Sequence, residues 1–236
     1  APGAGEKLVE IGPGLGALTA RLLTVASLTA IEIEPGFCAE LRAKYPQIHV
    51  IQGDVRSVDF GKIGSGLTVF GNLPYVYSTD IIFKLLEHRR SIKRAVLLLQ
   101  REFAERLASE PGRRSYGSIS VACQIYGDLR LGPVIGGDSF QPATSVESRL
   151  VEIVFLDQPR YAIHDPQWFE KIVRASFAQR RKKLSNSLKA SGYLQAPVIE
   201  AALAACAIDG GRRAETLDLK EFVRLAEALA PQKSDG

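Results

Sequence analysis

Cysteine is scarce in this sequence, and the three cysteines present lie far apart. Cys38, Cys123 and Cys206 form no C-x-x-C pair and are odd in number, so neither a disulfide framework nor a zinc site is indicated. This usage favours a reducing compartment, and we expect the chain to act in the cytoplasm. The three histidines also lack metal-like spacing, and we expect no bound metal; they are His49, His88 and His164.

Long apolar runs and methionine are missing as well. No apolar run approaches membrane-spanning length and no signal peptide is visible, so we expect no membrane partner. Not even an initiator methionine is present. We therefore expect the chain to be a shortened form of a longer protein.

The basic side chains are concentrated near the end of the chain. The chain has 30 basic and 26 acidic residues, and 13 of the basic and 9 of the acidic residues lie after residue 159. The rest of the chain is balanced in charge, so the whole excess of positive charge lies in this last part. The densest run is Arg180, Arg181, Lys182 and Lys183. Such a run can neutralise phosphates, and we expect it to position a nucleic acid rather than read its bases. A solvated helix face is the alternative.

The 236 residues, 46% of them hydrophobic, suffice for one large core and a small appended domain. Apolar patterns predict strands that alternate with helices until the last two, which form an antiparallel pair: 7–11, 28–33, 49–52, 67–71, 93–99, 118–126 and 149–156. After Asp165 only helical patterns follow, at 166–178, 180–190, 196–206 and 218–229. The sequence thus predicts a doubly wound, Rossmann-like α/β domain at 1–160, a linker at Tyr161–Asp165 and a small all-helical domain at 165–236.

A glycine-rich turn follows the first predicted strand. Gly12, Gly14 and Gly16 lead directly into a helical pattern. Glycines at a strand-to-helix turn let the backbone approach a ligand and aim helix N–H groups at it. Because Gly12, Gly14 and Ala17 also fit the dinucleotide fingerprint, a nicotinamide or flavin enzyme is a rival interpretation.

Carboxylates follow the next two predicted strands. Glu32 lies 20 positions after Gly12, a spacing typical of an acid that accepts both ribose hydroxyls of an adenosine group. Glu34 is an alternative ligand, although its place before Pro35 fits a helix cap better. Asp54 follows the third strand, where its carboxylate can accept from the amino group of a bound adenine.

The fourth strand leads into Asn72, Leu73, Pro74 and Tyr75. Asn72 offers a side-chain carbonyl, and Pro74 has no N–H, so main-chain carbonyls nearby can accept from an exocyclic amine. Tyr75 supplies a flat face for stacking. The alternative is a proline turn with a core tyrosine. However, four successive strands with ligand-capable residues at their carboxyl ends predict one shared crevice.

Together, the glycine turn, Glu32, Asp54 and the N-L-P-Y run resemble the S-adenosylmethionine-dependent ribosomal RNA adenine dimethyltransferases, of the KsgA type and the related Erm type. Further resemblances extend through the chain: Leu99–Leu107, the strand-like Tyr116–Val121 with Gln124, and the pattern Phe140-x-Pro142-x-Thr144-x-Val146-x-Ser148, where Thr144 replaces a usual proline. The segment 175–188 and Arg213-Ala214-Glu215 favour the KsgA type.

The resemblance implies an enzyme that dimethylates the N6 amine of adenines in a loop of small-subunit ribosomal RNA during ribosome biogenesis. It implies a monomer whose partner is ribosomal RNA or a precursor of the small subunit. S-adenosylmethionine would be bound by Glu10, Gly12, Gly14, Gly16, Glu32, Ile33, Asp54, Val55 and Asn72. The catalytic set would be Asn72, Leu73, Pro74, Tyr75 and Phe140, with Phe140 stacking on the target adenine opposite Tyr75. Arg180, Arg181, Lys182 and Lys183 would contact RNA.

A third interpretation is a non-catalytic RNA-binding or transcription-cofactor module that keeps the fold and has lost activity. The intact Glu32, Asp54 and N-L-P-Y run argue against such decay.

Overall fold

A computed structural model describes residue 3, residues 5–140 and residues 143–231. These residues divide into two compact units, the first within Ala1–Glu105 and Tyr126–Asp157 and the second within Arg106–Ile125 and Gln158–Gly236. The sequence assigned all of 1–160 to one domain, whereas the structure groups Arg106–Ile125 with the helices that follow residue 158. The second unit is therefore discontinuous in sequence.

The first unit is built on one mixed sheet, which has seven strands in the part of the chain that is described. They are β1 Leu8–Ile11, β2 Leu28–Glu32, β3 His49–Gln52, β4 Leu67–Asn72, β5 Ile92–Gln100, β6 Gly127–Ile135 and β7 Ser148–Phe155. Their order is β3-β2-β1-β4-β5-β7-β6, with β1 to β5 parallel and β7 antiparallel to both neighbours. The predicted doubly wound α/β class is confirmed. The order reverses between β1 and β4, so ligands are expected outside their carboxyl ends.

Helices of the first unit connect the strands: α1 Thr19–Leu22, α2 Pro35–Lys44, α3 Phe60–Ile63, α4 Ser78–Glu87 and the start of α5 Arg101–Leu107. Pro35 opens the first turn of α2, where its missing N–H would have had no partner. The Asp59 carboxylate caps α3 by accepting from the Gly61 N–H at 2.9 Å. Sequence-local caps thus define where these helices begin.

One face of the sheet packs on α1 and α2. Leu8, Ala30 and Phe70 from the strands contact Leu22 of α1 and Leu41 of α2 in one buried cluster. Burying a leucine- or phenylalanine-sized side chain stabilises the fold by about 1.5–3 kcal/mol. This cluster holds β1, β2 and β4 against the two helices, and these strands carry predicted ligand residues at their carboxyl ends.

The second unit is helical. It contains nearly all of α6 Ser118–Tyr126, together with α7 Pro166–Phe177, α8 Leu184–Lys189, α9 Ala196–Ala205 and α10 Leu219–Ala228. The Phe177 ring packs against Tyr116, with ring centroids 6.0 Å apart, and against Phe222 at 5.6 Å. Asp218 and Glu221 form a capping box that begins α10. None of the described helices is long and apolar enough to cross a membrane.

The predicted strand at 118–126, including the motif from Tyr116 to Val121, is wrong because the segment forms α6. Nearly every side chain of α6 is buried, and its apolar residues Ile119, Val121, Cys123 and Ile125 recur at every second position, as they would in a strand. In so short a segment, such a pattern does not distinguish a buried strand from a buried helix. The strand that forms the antiparallel pair with β7 at the edge of the sheet is instead β6, which begins at Gly127, directly after α6.

The helix predicted at 180–190 also begins later than expected. Residues 180–183 lie in the turn after α7, and α8 starts at Leu184. Lys183 has an extended backbone, and the Leu184 N–H donates to the Arg212 carbonyl at 2.7 Å. The basic run is therefore displayed on a turn rather than along a helix.

Candidate active site

A cavity of about 300 Å³ lies at the carboxyl ends of the parallel strands. It is lined by residues that follow β1, β2 and β3 and by residues from the segment after β4: Ile11, Gly12, Ile31, Glu32, Ile33, Gly53, Asp54, Val55, Arg56, Pro74, Tyr77 and Ile81. The expected crevice is therefore present. Asn72 and Tyr75 do not line this cavity; within the N-L-P-Y run Pro74 does, and Tyr77, two residues after the run, lines it as well.

Two glycines of the turn have open space where a side chain would stand, and of these Gly12 lines the cavity whereas Gly14 does not. Gly12 and Gly14 have φ angles of 65° and 53°, and a Cβ added at either position would meet nothing within 4 Å. A side chain at Gly12 would occupy cavity volume that a ligand can use. Gly16 differs, because its Cβ would lie 2.9 Å from the Tyr45 ring. Gly16 thus permits close packing on α2 and does not reach the cavity.

Glu32 is buried and bound to three main-chain donors. Its Oε1 accepts from the N–H groups of Ile33 at 2.8 Å and Glu34 at 2.9 Å, and its Oε2 accepts from the Gly14 N–H at 3.1 Å. The carboxylate therefore ties the glycine turn to the end of β2. Glu34 occupies the N-cap position of α2, as expected, but its exposed side chain makes no capping hydrogen bond.

Glu10 lies inside the fold and does not line the cavity. It is 2% exposed, and its Oε2 accepts from the Thr19 hydroxyl at 2.6 Å. Burial raises the pKa of the Glu10 carboxyl above its ordinary value, and the hydrogen bond from Thr19 opposes this shift. In the structure, Glu10 joins β1 to α1 on either side of the glycine turn.

Asp54 stands at the mouth of the cavity with Arg56. The Asp54 carboxylate accepts from the Arg56 N–H at 2.9 Å and from its guanidinium, and these hydrogen bonds lower the pKa of Asp54. The same guanidinium lies 4.3 Å from the centroid of the Tyr77 ring and 3.7 Å from Asp80. Asp54 is thus held ionised beside a cation–π pair that forms the outer wall of the cavity.

The segment after β4 presents acceptors. The Leu73 side chain is buried, and its N–H donates to the Leu98 carbonyl at 3.1 Å, which anchors the segment to β5. The Pro74 carbonyl already accepts from the Ser78 hydroxyl at 3.0 Å and the Tyr77 N–H at 3.2 Å. Within the described residues, neither the Asn72 side chain nor the Leu73 carbonyl has a hydrogen-bond partner. These two groups can bind an incoming amine.

Tyr75 and Phe140 occupy different loops of the first unit. Tyr75 is 38% exposed, and its hydroxyl lies 3.2 Å from Ser148 Oγ. Phe140 is half-buried and follows the short turn Gly137–Ser139. No ring contact joins Phe140 to Tyr75 among the residues with described positions. Pro142 of the same motif lies outside the described residues.

Sequence reasoning missed the contact that Ser148 makes with Tyr75 and six residues that line the cavity: Ile11, Ile31, Gly53, Arg56, Tyr77 and Ile81. Tyr77 follows the N-L-P-Y run by two residues and Arg56 follows Asp54 by two, so proximity to a motif was an available signal. For Ser148 the family pattern gave a position without a role. No group of three His, Cys, Asp or Glu residues suited to a metal occurs in the described part of the chain.

The chain is similar to known proteins over nearly its whole length. The family described as ribosomal RNA adenine dimethylase matches residues 4–230. The chain belongs to this family. It is 42% identical over 230 residues to the ribosomal RNA small subunit methyltransferase A of Syntrophotalea carbinolica, covering 96% of this chain and 87% of that protein. The protein of the same name from Geobacter sulfurreducens is 42% identical over 238 residues, covering 96% and 86%.

Solved structures share the fold of this adenine dimethylase. A dimethyladenosine transferase from Plasmodium falciparum superimposes with a TM-score of 0.80 at 23% identity, covering 94% of this chain and 89% of that one. The 23S ribosomal RNA methyltransferase ErmE gives a TM-score of 0.71 at 24% identity, covering 96% and 92%. Both likenesses concern the fold alone.

Family membership makes the chain an S-adenosylmethionine-dependent methyltransferase and excludes the nicotinamide interpretation. The residues present suit this cofactor. The open space at Gly12 and Gly14 admits a ligand close to the backbone, and the carboxylates of Glu32 and Asp54 are acceptors for hydroxyl and amino groups.

Proposed function

We propose that this chain transfers two methyl groups to the N6 amine of adenines in a loop of small-subunit ribosomal RNA during ribosome biogenesis. The observation that carries the proposal is the pair of free acceptors on Asn72 and Leu73, next to a cavity lined by Glu32 and Asp54. We propose that the enzyme acts as a monomer in the cytoplasm on RNA or a precursor of the small subunit. The free, buried state of Cys38, Cys123 and Cys206 supports a reducing compartment.

Different residues of the cavity would contact different parts of the cofactor. Glu32 would accept from the ribose hydroxyls, Asp54 would accept from the adenine amine, and Ile33 and Val55 would contact the base, since all four residues line the cavity. Gly12 and Gly14 leave room for the chain that carries the sulfonium. S-adenosylmethionine supplies an activated methyl group, so the protein has to bring the acceptor amine into line with it. Correct alignment is worth on the order of 7–11 kcal/mol.

Asn72 and Leu73 prepare the target amine. The adenine amine is a poor nucleophile because its lone pair is delocalised into the ring. Hydrogen bonds from its N–H groups to the Asn72 side chain and the Leu73 carbonyl favour the pyramidal form that carries a localised lone pair. The sequence left Leu73 and Pro74 as alternative acceptors; we propose Leu73 because the Pro74 carbonyl already has two donors. After attack the nitrogen is bonded to the methyl carbon and carries a positive charge, and it then loses a proton to water, so a strong base is not required.

Aromatic stacking holds the adenine out of the RNA. Removing a base from its stack costs a few kcal/mol, and stacking on an aromatic side chain returns about 1–3 kcal/mol. Tyr75 has the exposed ring that this requires, and we propose Phe140 as the opposite face of the slot. A single-stranded loop lowers the cost of extrusion, which makes RNA loops a suitable substrate.

The second unit supplies the basic surface. Arg181, Lys182 and Lys183 are exposed and form no ion pair with any residue that the structure describes. Arg180 is used differently, because its guanidinium donates to the carbonyls of Arg114 and, at 3.2 Å, Tyr116. We define the basic turn as Arg113, Arg114 and Arg181–Lys183, and we propose that it binds RNA phosphates while Arg180 holds its two segments together.

Methyl transfer to purified ribosomal RNA tests the proposal directly. We expect radioactive methyl groups from S-adenosylmethionine to enter small-subunit RNA, and mass spectrometry of the digested RNA to detect N6,N6-dimethyladenosine. Large-subunit RNA and a protein-free reaction are the controls. Transfer to large-subunit RNA alone would contradict the substrate, and absence of transfer to every RNA and to small-subunit particles would contradict the activity.

Removing charge from the basic turn should lower the salt dependence of RNA binding. In Arg181→Ala/Lys182→Ala/Lys183→Ala, the slope of log affinity against log salt should fall by about 2, because each lost phosphate contact on single-stranded RNA removes about 0.7. Fluorescence anisotropy at several salt concentrations measures the slope. The matched control, Lys62→Ala/Arg90→Ala/Lys93→Ala, removes three exposed cations from the first unit. Equal slopes for the two variants would place the RNA elsewhere.

A further inference from the structure

Ser148 is a motif residue to which the proposed mechanism gives no task. It is the first residue of β7, and its backbone pairs with Gln100 of β5 on one side and Ile135 of β6 on the other. The side chain is 1% exposed. Two strand ladders therefore fix the position of its hydroxyl within the sheet.

Tyr75 has the opposite environment. It begins the short helical turn Tyr75–Tyr77, which contains no buried residue and in which Val76 is 83% exposed. Packing of the ring is therefore incomplete. Its hydroxyl lies 3.2 Å from Ser148 Oγ, and either oxygen can donate. Across the described residues this is the polar contact that the Tyr75 hydroxyl makes, and it joins a partly exposed ring to a buried strand residue.

We propose that Ser148 is a positioning residue that sets the orientation of the Tyr75 ring for the target adenine. The ring is attached to the protein at its Cβ and, through this hydrogen bond, at its far end. Without the second attachment, rotation about χ1 and χ2 would turn the face away from the base. The inference rests on the proposed function, since it assigns Tyr75 to the adenine slot.

A buried hydroxyl also needs a partner for stability alone, so the test has to separate positioning from folding. Ser148→Thr and Ser148→Val introduce nearly equal volume, and only threonine keeps the hydroxyl. We expect Ser148→Val to reduce kcat/KM for methyl transfer to RNA by about tenfold relative to Ser148→Thr, the equivalent of one hydrogen bond. The dissociation constant for S-adenosylmethionine should be the same in both, and melting temperatures identify any difference in folding.

Tyr75→Phe supplies the second arm of the experiment, because phenylalanine keeps the stacking face and loses the hydroxyl. Tyr75→Phe and Ser148→Ala should each lower kcat/KM, and the double variant should be no worse than either single one. The control is Ser145→Ala, which removes an exposed hydroxyl three residues before Ser148, in the segment between β6 and β7. Its kcat/KM should equal that of the wild type.

Three results would overturn the inference: equal activity of the threonine and valine variants, effects of Tyr75→Phe and Ser148→Ala that multiply, or loss of cofactor binding together with activity. Wild-type transfer is measured first in the same reactions. An inactive wild type would contradict the proposed function itself, whereas an active wild type with unaffected Ser148 variants would contradict only the positioning role.

Discussion

Asn72→Ala should lower the rate of methyl transfer by about 10²- to 10³-fold, the loss typical when one preorganised hydrogen-bonding group of the transition state is removed. The dissociation constant for S-adenosylmethionine should change little, because Asn72 does not line the cofactor cavity. Single-turnover transfer to RNA measures the first quantity and isothermal titration calorimetry the second.

The matched control is Gln47→Ala, which removes another exposed carboxamide from the turn before β3, at the amino end of that strand and not at its carboxyl end. It should leave both quantities unchanged. Near-normal turnover of Asn72→Ala would show that the amine is activated without this side chain. Loss of cofactor affinity equal to the loss of rate would instead assign Asn72 to the cofactor, as the family resemblance also implies.

Glu32→Gln should weaken cofactor binding by about 10²-fold or more, because hydrogen bonds to a charged acceptor are worth about 1.5–3 kcal/mol each. A carboxamide has one acceptor oxygen, whereas the carboxylate uses one oxygen for Ile33 and Glu34 and the other for Gly14. The substitution therefore loses the ribose contact and loosens the glycine turn. Calorimetry with S-adenosylhomocysteine, which cannot react, gives the dissociation constant.

Glu34→Gln is the control for this experiment, since Glu34 is the exposed acid two residues away and makes no capping hydrogen bond. Its affinity should match that of wild type. If Glu34→Gln binds the cofactor weakly and Glu32→Gln binds it normally, then Glu34 is the ribose ligand. The roles proposed for Glu32 and Glu34 would then be exchanged.

The sequence predicted the parallel core of the sheet well. The limits of β1 to β5 differ from expectation by one or two residues at most, because fully buried parallel strands give short continuous apolar runs bounded by turns. The apolar pattern led to a wrong prediction for α6, a buried helix whose apolar residues happen to recur at every second position. Local patterns therefore identify burial more reliably than they identify the backbone conformation.

The residues of the candidate site were likewise predicted only in part. Glu32, Asp54 and the N-L-P-Y run stand at strand ends, and strand ends can be counted along a sequence. The tasks of Arg56 and Arg180 could not be found in this way. The Arg56 guanidinium lies over the ring of Tyr77. The Arg180 guanidinium donates to the carbonyls of Arg114 and Tyr116. Contacts between residues that are distant in sequence produce no periodic pattern of residue types, so the sequence alone does not predict them.

The basic run illustrates the practical effect of such contacts. Read as a sequence, four adjacent cations look equivalent. In the folded chain one of them is bound to the main chain and three are free among the described residues. Mutagenesis that treats all four alike would mix a change in folding with a change in RNA affinity, which is why Arg180 is left intact in the proposed triple variant.

The divided second unit has a consequence for synthesis. Tyr116 leaves the ribosome long before Phe177 and Phe222, the aromatic rings with which it shares a core. The apolar segment around Tyr116 therefore stays without these partners in the nascent chain until the last helix, α10, has been translated. A gene split at the linker 161–165 would encode two fragments, and the core around Phe177 would be complete in neither.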